Sequence, residues 1–343
     1  MKIICWNLKN IGQSKLTKKL SPVLAAAGLG GTGLDYMMKV VMGDTAWQNI
    51  SSSAPADVFV IIELKSGGKK KGVTSTGTSV PTLMAITAAM NSSAITRGIT
   101  STYEYKYVQP LVTGRHECTG IIYNTKALTY PDLPTSAQVL RTTKTNEFLP
   151  GRTPFLVEFT VVATGKGLRL VSVHAPPPQG KSGLRFKIPV QYTQQLAEIA
   201  AITQTLPVDQ MDLCLMGDFN CSPSSTYTVG VTGGKKPKNS TGFYDLIKSN
   251  GYLTELPTPT LTSCRKNLVS TNPEPTDYLS DAYDNILYKM ASPPTGLQTK
   301  PLDTIGNARD MTKSAAALYP AKARMLLNNF WLVSDHIGVV LTY

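Results

Sequence analysis

The stretch Leu213-Cys-Leu-Met-Gly-Asp218-Phe-Asn220 joins an apolar segment to a carboxylate and an amide. Residues 212–217 have the pattern of a strand that is buried on both faces. Gly217 allows a sharp backbone turn, after which Asp218 and Asn220 place two oxygen-bearing side chains on the same side of an extended segment. The pattern predicts a functional strand end, and an Asx-type turn that caps the following loop is the alternative.

Four other apolar segments carry or end in a metal-binding or acid–base type of residue. They are Ile3-Ile-Cys-Trp-Asn7, Val58-Phe-Val-Ile-Ile-Glu63, Leu168-Arg-Leu-Val-Ser-Val-His174 and Trp331-Leu-Val-Ser-Asp335-His336-Ile-Gly-Val-Val-Leu. Another strand pattern begins at Asp284, whose carboxylate could hydrogen-bond an imidazole and fix its tautomer. Because these residues are spread from position 7 to position 336, we predict one site assembled from the ends of sheet strands.

The composition is that of a globular protein. Of 343 residues, 42% are hydrophobic and 16% are charged. No apolar run approaches the roughly 20 residues that a membrane helix needs, so we expect no integral membrane association. No secretory leader is recognised, and we expect a protein that is cytoplasmic or exported without a classical signal peptide. The five cysteines lack a C-x-x-C pair, which disfavours zinc or a disulfide framework, while Cys118, Cys221 and Cys264 leave room for one bridge.

The formal net charge is +12. Basic residues cluster at 15–19, 69–71, 235–238 and 265–266. Each cluster alone is typical of a solvated loop. Together they indicate a protein that attracts polyanions, which means nucleic acid or anionic lipid.

The hydrophobic pattern predicts a mixture of strands and helices. Strands are predicted at 2–8, 57–63, 103–108, 119–124, 154–163, 168–174, 212–217, 283–289 and 337–343. Helices are predicted at 15–27, 34–50, 80–92, 185–206 and 313–327, with loops at 66–79 and 222–242. Since candidate site residues come from both ends of the chain, we predict a single domain over 1–343, with loop insertions near 9–50, 66–100, 222–275 and 290–330.

The candidate site residues favour a particular chemistry. Glu63 follows five apolar residues, where an ionised carboxylate is costly unless it is paired or bound to a cation. Hard oxygen ligands without cysteine favour Mg²⁺, with Mn²⁺ or Ca²⁺ as alternatives. Such a cation with two imidazoles, His174 and His336, suits hydrolysis of phosphoesters.

The ordered motifs resemble the endonuclease/exonuclease/phosphatase superfamily, and within it the deoxyribonuclease I-like enzymes. The motifs are Trp6-Asn7, Ile62-Glu63, Gly120-Ile-Ile-Tyr-Asn124, Arg152, Val173-His174, Gly217-Asp218-Phe-Asn220, Asp284 and Ser334-Asp335-His336. They cover residues 3–343 in the family's order. Gly-Asp-Phe-Asn followed much later by Ser-Asp-His is a specific combination.

The resemblance implies an α/β fold: a four-layer sandwich of two packed mixed, mostly antiparallel β-sheets flanked by helices. It implies a divalent metal held by Glu63, with Asn7 and Asp335 nearby. It also implies that His336 is the general base and that Asp284 orients it.

The remaining residues also receive roles from the resemblance. Asp218 and Asn220 would bind metal or phosphate, and His174 would act as general acid or phosphate ligand. Arg152 matches a family arginine that contacts the substrate phosphate.

Two features depart from the family pattern. Glu63 is followed by Leu64 and Lys65, where Thr or Arg is usual, so the Gln-Glu-Thr signature of exonuclease III-like enzymes is missing. Deoxyribonuclease I-like enzymes also pair the His174 equivalent with an acid on an earlier strand. For that acid we favour Glu104 over Glu117.

The implied activity is that of a metal-dependent DNA endonuclease of low sequence specificity. A phospholipid or phosphoinositide phosphodiesterase or phosphatase on the same fold, and a non-catalytic nucleic-acid-binding relative, are the alternatives. We expect a monomer whose partner is nucleic acid, most of all DNA. If the protein is an exported effector, an inhibitor or immunity protein is a further expected partner.

Overall fold

The structure is a computed structural model, and it describes most of the chain. The described residues are 1–20, 31–43, 54–65, 79–108, 117–133, 136–140, 152–178, 192, 195–197, 199, 210–223, 226–228, 240–242, 244–254, 256, 260–264, 279–302 and 332–343. The predicted helix at 313–327 and most of the predicted loop at 66–79 lie outside them. Of the predicted helix at 185–206, residues 192 and 195–197 are described, and they are helical.

Fourteen strands and four helices are formed by the described residues. The strands are β1 Lys2–Ile11, β2 Val58–Lys65, β3 Tyr103–Val108, β4 Glu117–Asn124, β5 Leu128–Thr129, β6 Ala137–Val139, β7 Phe155–Val161, β8 Gly167–His174, β9 Met211–Asp218, β10 Thr226–Thr228, β11 Ser240–Gly242, β12 Asp284–Lys289, β13 Gln298–Leu302 and β14 Gly338–Thr342. The helices are α1 Gln13–Leu16, α2 Gly33–Met42, α3 Ser79–Thr96 and α4 Asp245–Ser249.

Two large sheets carry the fold. The first has the order β13-β14-β1-β2-β4-β3, and the second has the order β12-β9-β8-β7-β5, with β6 also paired to β7. Each sheet contains one parallel pair, β1 with β2 and β8 with β9. All the other strand pairs of the two sheets are antiparallel.

Three separate hydrophobic cores lie between four layers. The inner core joins the sheets, with Val60 of the first sheet and Met216 of the second among its members. The second core packs α2 and α3 on the outer face of the first sheet, where Trp6 and Ile86 are buried. The third covers the outer face of the second sheet with α4 and with Tyr192, Leu196, Ala197 and Ile199. The predicted four-layer sandwich is therefore confirmed.

Helix α2 begins and ends where its sequence dictates. The Thr32 hydroxyl accepts a hydrogen bond from the Asp35 backbone amide, while the Asp35 carboxylate accepts one from the Thr32 amide, so the two form a capping box. Gly43 ends the helix in the left-handed conformation, with φ of 74°. The helix is therefore shorter than the predicted 34–50, whose residues 44–50 lie outside the described part.

Other boundaries also differ from the prediction. Strand β1 continues to Ile11, three residues beyond the predicted end. Residues 17–20 are not helical, so the prediction of a helix over 15–27 is wrong there, and its residues 21–27 are not described. The predicted loop at 222–242 contains the short antiparallel strands β10 and β11, which its Gly- and Ser-rich composition did not indicate.

Strand direction brings the candidate site residues to one edge of the sandwich. The parallel strands β1, β2, β8 and β9 all end at this edge. Their antiparallel neighbours β4, β12 and β14 begin there, since Lys65 pairs with Glu117 and Asp218 pairs with Asp284. The polar strand ends predicted from the sequence thus converge because of the topology.

All five cysteines are buried and free, so the bridge that the sequence left open is not formed. Among the described residues, no helix is long and apolar enough to cross a membrane.

Candidate active site

Glu63 lies in an irregular part of β2. Its φ is 61°, a left-handed conformation that non-glycine residues rarely adopt. The pairing of β2 with β4 shifts register between Ile61 and Leu64, as in a β-bulge. The bulge interrupts the alternation of the strand, and the Glu63 side chain joins the polar groups at the sheet edge instead of the core.

Asn7 connects the two sheets at this edge. Its side-chain amide nitrogen donates to Glu63 Oε1 at 3.1 Å and to Asp218 Oδ2 at 2.9 Å. Its side-chain oxygen, Oδ1, accepts a hydrogen bond from the Lys9 backbone amide at 3.0 Å. Asn7 therefore orients two carboxylates, and its oxygen faces the backbone. The structure brings the predicted ligands Asn7 and Glu63 together in this way.

A second bulge follows Asn7 in β1. Lys9 and Asn10 have φ values of 42° and 56°, and the register of β1 with β2 shifts between Asn7 and Ile11. Both the backbone and the side-chain amide of Asn10 donate to Glu63 Oε2 at 3.1 Å. The Lys15 ammonium donates to the backbone carbonyl of Lys9 and, at 3.4 Å, to that of Val333. The bulge is thus tied to the segment that leads to Asp335.

One acid–histidine pair is formed by Glu117 and His174. Nδ1 of His174 lies 2.7 Å from Glu117 Oε2, and Nε2 lies 3.6 Å from Asp218 Oδ2. The Arg152 guanidinium lies against the same ring, with Nη1 2.5 Å from His174 Nε2 and Nη2 3.1 Å from Glu117 Oε1. Since a guanidinium can only donate, this contact requires an unprotonated Nε2.

The other pair is formed by Asp284 and His336. Nδ1 of His336 lies 2.7 Å from Asp284 Oδ2, and Nε2 lies 3.7 Å from Asp218 Oδ2. The Thr262 hydroxyl accepts hydrogen bonds from the backbone amides of Tyr283 and Asp284, which fixes the start of β12. The two pairs therefore flank one carboxylate, that of Asp218.

The Ser334-Asp335-His336 triplet is held from both sides. The Ser334 hydroxyl donates a hydrogen bond to the backbone carbonyl of Asn7 and accepts one from the His336 backbone amide. The Trp6 indole donates to the His336 carbonyl at 2.7 Å. Asp335 Oδ2 lies 2.5 Å from the Lys9 ammonium, and Asp335 Oδ1 lies 3.8 Å from His336 Nε2. The predicted ligand Asp335 thus lies beside the predicted base.

The Gly217-Asp218-Phe-Asn220 motif folds as a tight connection. Gly217 has φ of 145°, and a Cβ there would lie 2.0 Å from the Val173 carbonyl oxygen, so only glycine fits against β8. The Asn220 backbone amide donates to Asp218 Oδ1 at 2.8 Å, which is the turn that the sequence left open. The Asn220 side-chain nitrogen donates to the Ala175 carbonyl at 2.7 Å.

Burial and neighbouring charges shift the titration of this site. Burial, together with Asp284, raises the pKa of Asp218. Burial alone would lower the pKa of His336, but Asp284, Asp218 and Asp335 outweigh it and raise this pKa to about 10. Burial would raise the pKa of Glu117, but His174 and Arg152 lower it to about 2.

The residues at this edge fit a divalent cation. Two groups of residues have metal-ligand spacing, with the ligand atoms inside each group all within 4.8 Å of one another. The groups are Glu63, Glu117 and His174, and Asp218, Asp284 and His336. Buried carboxylates crowd together at a cost that a cation relieves. Oxygen donors predominate and cysteine is absent from both groups, which suits Mg²⁺, Mn²⁺ or Ca²⁺.

Sequence reasoning missed part of this site. The preferred acid for His174 was wrong, because Glu104 lies at the other end of β3, where its Oε2 accepts from the Tyr123 hydroxyl at 2.8 Å. Glu117, the second choice, makes the contact. The supporting residues Asn10, Lys15 and Thr262 were not predicted. A polar residue that interrupts the end of a strand, as Asn10 does in β1, was the available signal.

Known proteins resemble this chain in structure and not in sequence. No protein-family model and no curated protein matches it. Similar solved structures include an endonuclease/exonuclease/phosphatase family protein from Leptotrichia buccalis, a mannosyl-6-phosphatase from Bacteroides thetaiotaomicron and an AP endonuclease from Archaeoglobus fulgidus. Their identities are 12%, 14% and 11%, and their TM-scores are 0.49, 0.48 and 0.48. The alignments cover 100% of this chain and 98%, 98% and 99% of theirs. The chain is thus similar to solved structures that include a protein of the family whose motifs its sequence resembles.

Proposed function

We propose that the chain is a metal-dependent phosphodiesterase, a DNA endonuclease of low sequence specificity that activates water for attack on phosphorus. The observation that carries the proposal is the arrangement of two acid–histidine pairs around the Asp218 carboxylate. Hydrolysis of a phosphodiester removes a proton from the attacking water and delivers one to the leaving oxygen, so it needs two such groups on either side of the reacting centre.

The carboxylates of Glu63 and Asp335 would hold the cation, which we propose to be Mg²⁺, with Mn²⁺ or Ca²⁺ as alternatives. Asn7 would keep Glu63 and Asp218 turned toward it through the two hydrogen bonds of its amide. When bound, the cation supplies positive charge to the phosphate oxygens and offsets the carboxylates that favour a proton on His336.

His336 is the general base in this proposal. Its Nδ1 faces Asp284 and its Nε2 faces the centre of the site, so the ring presents one nitrogen to the attacking water. Asp284 fixes the tautomer and stabilises the imidazolium once the proton has been taken. The base must be neutral at the start. The surrounding carboxylates raise its pKa to about 10, and positive charge from a bound cation would lower this pKa.

The other half of the site would act on the phosphate and the leaving oxygen. Arg152 would bind a phosphate oxygen, and His174 would protonate the leaving group once the phosphate has drawn the guanidinium away from Nε2 and this nitrogen has taken up a proton. Asp218 and Asn220 would bind the metal or the phosphate. The hydrogen bond from the Asn220 backbone amide fixes the position of the Asp218 carboxylate for this role.

The net charge of +12 supports a polyanionic substrate. Lys9 and Lys15 lie at the site edge itself. A duplex DNA backbone presents regularly spaced phosphates to such a surface without regard to base sequence, which is why low sequence specificity is proposed. Affinity should therefore fall steeply as salt is raised.

Supercoiled plasmid with Mg²⁺ tests the proposal. The wild-type protein should nick the plasmid, a chelator should abolish nicking, and His336→Ala and Asp335→Ala should each retain a small fraction of the rate. Lys300→Ala, a change on β13 that no part of the proposal uses, serves as a matched control and should nick at the wild-type rate. Absence of nicking by the wild type, or equal nicking by His336→Ala, would overturn the proposal.

Parallel substrates separate the alternatives. An RNA of matched length and vesicles that contain phosphoinositide should be cleaved more slowly than the plasmid. Phosphate release from vesicles without plasmid nicking would move the assignment to a lipid phosphodiesterase or phosphatase. Tight DNA binding without strand cleavage in Mg²⁺ or Mn²⁺ would indicate a non-catalytic binding protein.

A further inference from the structure

The half of the site around His174 contains three residues with metal-ligand spacing and a cationic side chain, that of Arg152. Glu117, His174 and Glu63 offer three ligand atoms close enough to hold one ion. The Arg152 guanidinium already contacts two of these residues, at Glu117 Oε1 and His174 Nε2. Its third contact is the Ala175 carbonyl oxygen, at 2.8 Å. The guanidinium is therefore held by three acceptors, one at the start of β4 and two at the end of β8.

The other half of the site differs in this respect. Asp218, Asp284 and His336 form a second group with metal-ligand spacing. Among the described residues, the ammonium groups nearest to it contact Asp335 and backbone carbonyls, and no arginine contacts this group. In this half, His336 Nε2 lies 3.7 Å from Asp218 Oδ2 and 3.8 Å from Asp335 Oδ1. The two halves therefore have the same kinds of ligand and different charge balance.

We infer that the Arg152 guanidinium is the resident cation of the Glu117–His174 half, and that it keeps a second metal ion out of a site that would otherwise bind two. The inference rests on the proposed function, since it concerns the metal of that site. Glu63 lies between the halves, with Oε1 3.4 Å from His174 Nε2, and is the carboxylate that two ions would share. Adjacent ions bridged in this way occur in two-metal phosphoesterases.

Charge and geometry both favour the guanidinium over an ion here. Its planar fork matches Glu117 and the imidazole edge at once, and its charge does not depend on pH. An ion bound through His174 Nε2 and Glu117 Oε1 would take the atoms to which Arg152 donates. Arginine and ion are therefore mutually exclusive.

Ion counting tests the inference without substrate. Mn²⁺ is titrated into the chelator-treated protein, and free Mn²⁺ is followed by electron paramagnetic resonance. Wild type should bind about one ion per chain, and Arg152→Met about one more. The double variant Arg152→Met/Glu117→Gln should lose the added ion. Arg152→Lys, which keeps the charge, should bind as wild type does.

Arg169→Met is the matched control. Arg169 also pairs with a glutamate, Glu158, but on β8 away from the site, so loss of its charge should add no ion. A wild type that binds two ions, or an Arg152→Met variant that binds no more than wild type, would overturn the inference. If Arg152→Met does not fold, Arg152→Gln replaces it, and the wild-type count still decides.

The plasmid assay tests the proposed function and the ion count tests the inference, so either hypothesis can be rejected without the other. A protein that never nicks DNA but gains one ion in Arg152→Met keeps the inference and loses the proposed nuclease. A protein that nicks DNA and shows the same ion count in all variants keeps the nuclease and loses the inference.

Discussion

The two acid–histidine pairs have nearly the same geometry, but the charged groups that surround them differ. In each pair an imidazole Nδ1 lies 2.7 Å from a carboxylate oxygen, and Nε2 lies 3.6 or 3.7 Å from Asp218. Each ring also faces a second carboxylate besides Asp218, which is Glu63 for His174 and Asp335 for His336. Only the Glu117–His174 pair contacts a guanidinium in addition.

The group beside each pair, Arg152 or Asp335, therefore decides the charge of the histidine, and the acid–histidine contact alone does not. Beside Arg152, Nε2 of His174 has to be unprotonated to accept a hydrogen bond. Beside Asp284, Asp218 and Asp335, the pKa of His336 is raised to about 10, so the carboxylates favour the protonated ring. Two copies of one arrangement can therefore take different parts in one reaction.

Removal of the acid from each pair is the strongest way to break the comparison. We expect Asp284→Asn to lower the nicking rate about 10- to 100-fold, because His336 loses the group that fixes its tautomer. Glu117→Gln should cost less, because Arg152 still contacts the His174 ring. Initial rates on supercoiled plasmid at saturating Mg²⁺ measure both variants.

Melting temperatures show whether these variants remain folded. Equal losses for Asp284→Asn and Glu117→Gln would mean that Arg152 does not secure His174, and the two halves would have to be treated as equivalent.

Metal binding is the second contrast between the halves. Mg²⁺ at 100 times its dissociation constant should stabilise the wild type by about 2.7 kcal/mol. Asp335→Asn, on the His336 side, should lose most of this gain, whereas Glu117→Gln should keep it. Thermal unfolding with and without Mg²⁺ gives the values. If Mg²⁺ no longer stabilised the Glu117→Gln variant, the ion would lie on the His174 side, contrary to the proposal.

The two pairs should lose their contributions to the free energy of unfolding at opposite ends of the pH range. In chelator-treated protein, His336 has a folded pKa of about 10 against an ordinary value of 6.5, so its contribution is full below pH 6.5 and is lost as the pH rises through 10. Glu117 has a folded pKa of about 2 against 4.5, so its contribution is present above pH 4.5 and is lost as the pH falls through 2. At about 1.4 kcal/mol per pKa unit, the contribution is about 5 kcal/mol for His336 and about 3 kcal/mol for Glu117.

Denaturant unfolding across pH measures these contributions. The difference between wild type and His336→Gln should shrink toward pH 10, and that between wild type and Glu117→Gln should shrink toward pH 2. Two differences that fall at the same end of the pH range would contradict the assigned charges.

The smallest expected effect concerns the support behind Glu63. Lys15→Met removes the ammonium that ties the Lys9 carbonyl to the Val333 carbonyl. We expect a loss of about 1 kcal/mol in stability and a several-fold weaker affinity for Mg²⁺, because Asn10 no longer holds Glu63 as firmly. Lys15→Arg should restore part of the affinity. An unchanged Mg²⁺ affinity in Lys15→Met would show that the bulge keeps its shape unaided.

The strands that carry the site could be predicted because their signal is local. Continuous apolar runs at 58–62 and 213–216 identify buried strands, and the polar residue that follows each run identifies the edge. Both parallel pairs end where these polar residues are. The resemblance to a known family then ordered the strand ends into one site.

What sequence could not supply is the position of residues across strands. Glu104 and Glu117 lie on neighbouring antiparallel strands, and only the register places one of them at the site edge and the other at the far end. The left-handed conformations of Lys9, Asn10 and Glu63 depend on bulges that follow from pairing between strands. Hydrogen bonds such as that from Asn10 to Glu63 are therefore consequences of the fold.

The pairing of β1 with β14 has a consequence for the order of events during synthesis. Asn7 lies on β1, whereas Asp335 and His336 directly precede β14, which pairs with β1 across almost the whole length of the sequence. Domains generally fold as units. Because β14 lies between β13 and β1, the first sheet cannot complete its strand order before residues 338–342 have been made. The Asp284–His336 pair therefore joins the Glu117–His174 pair only when this sheet is completed.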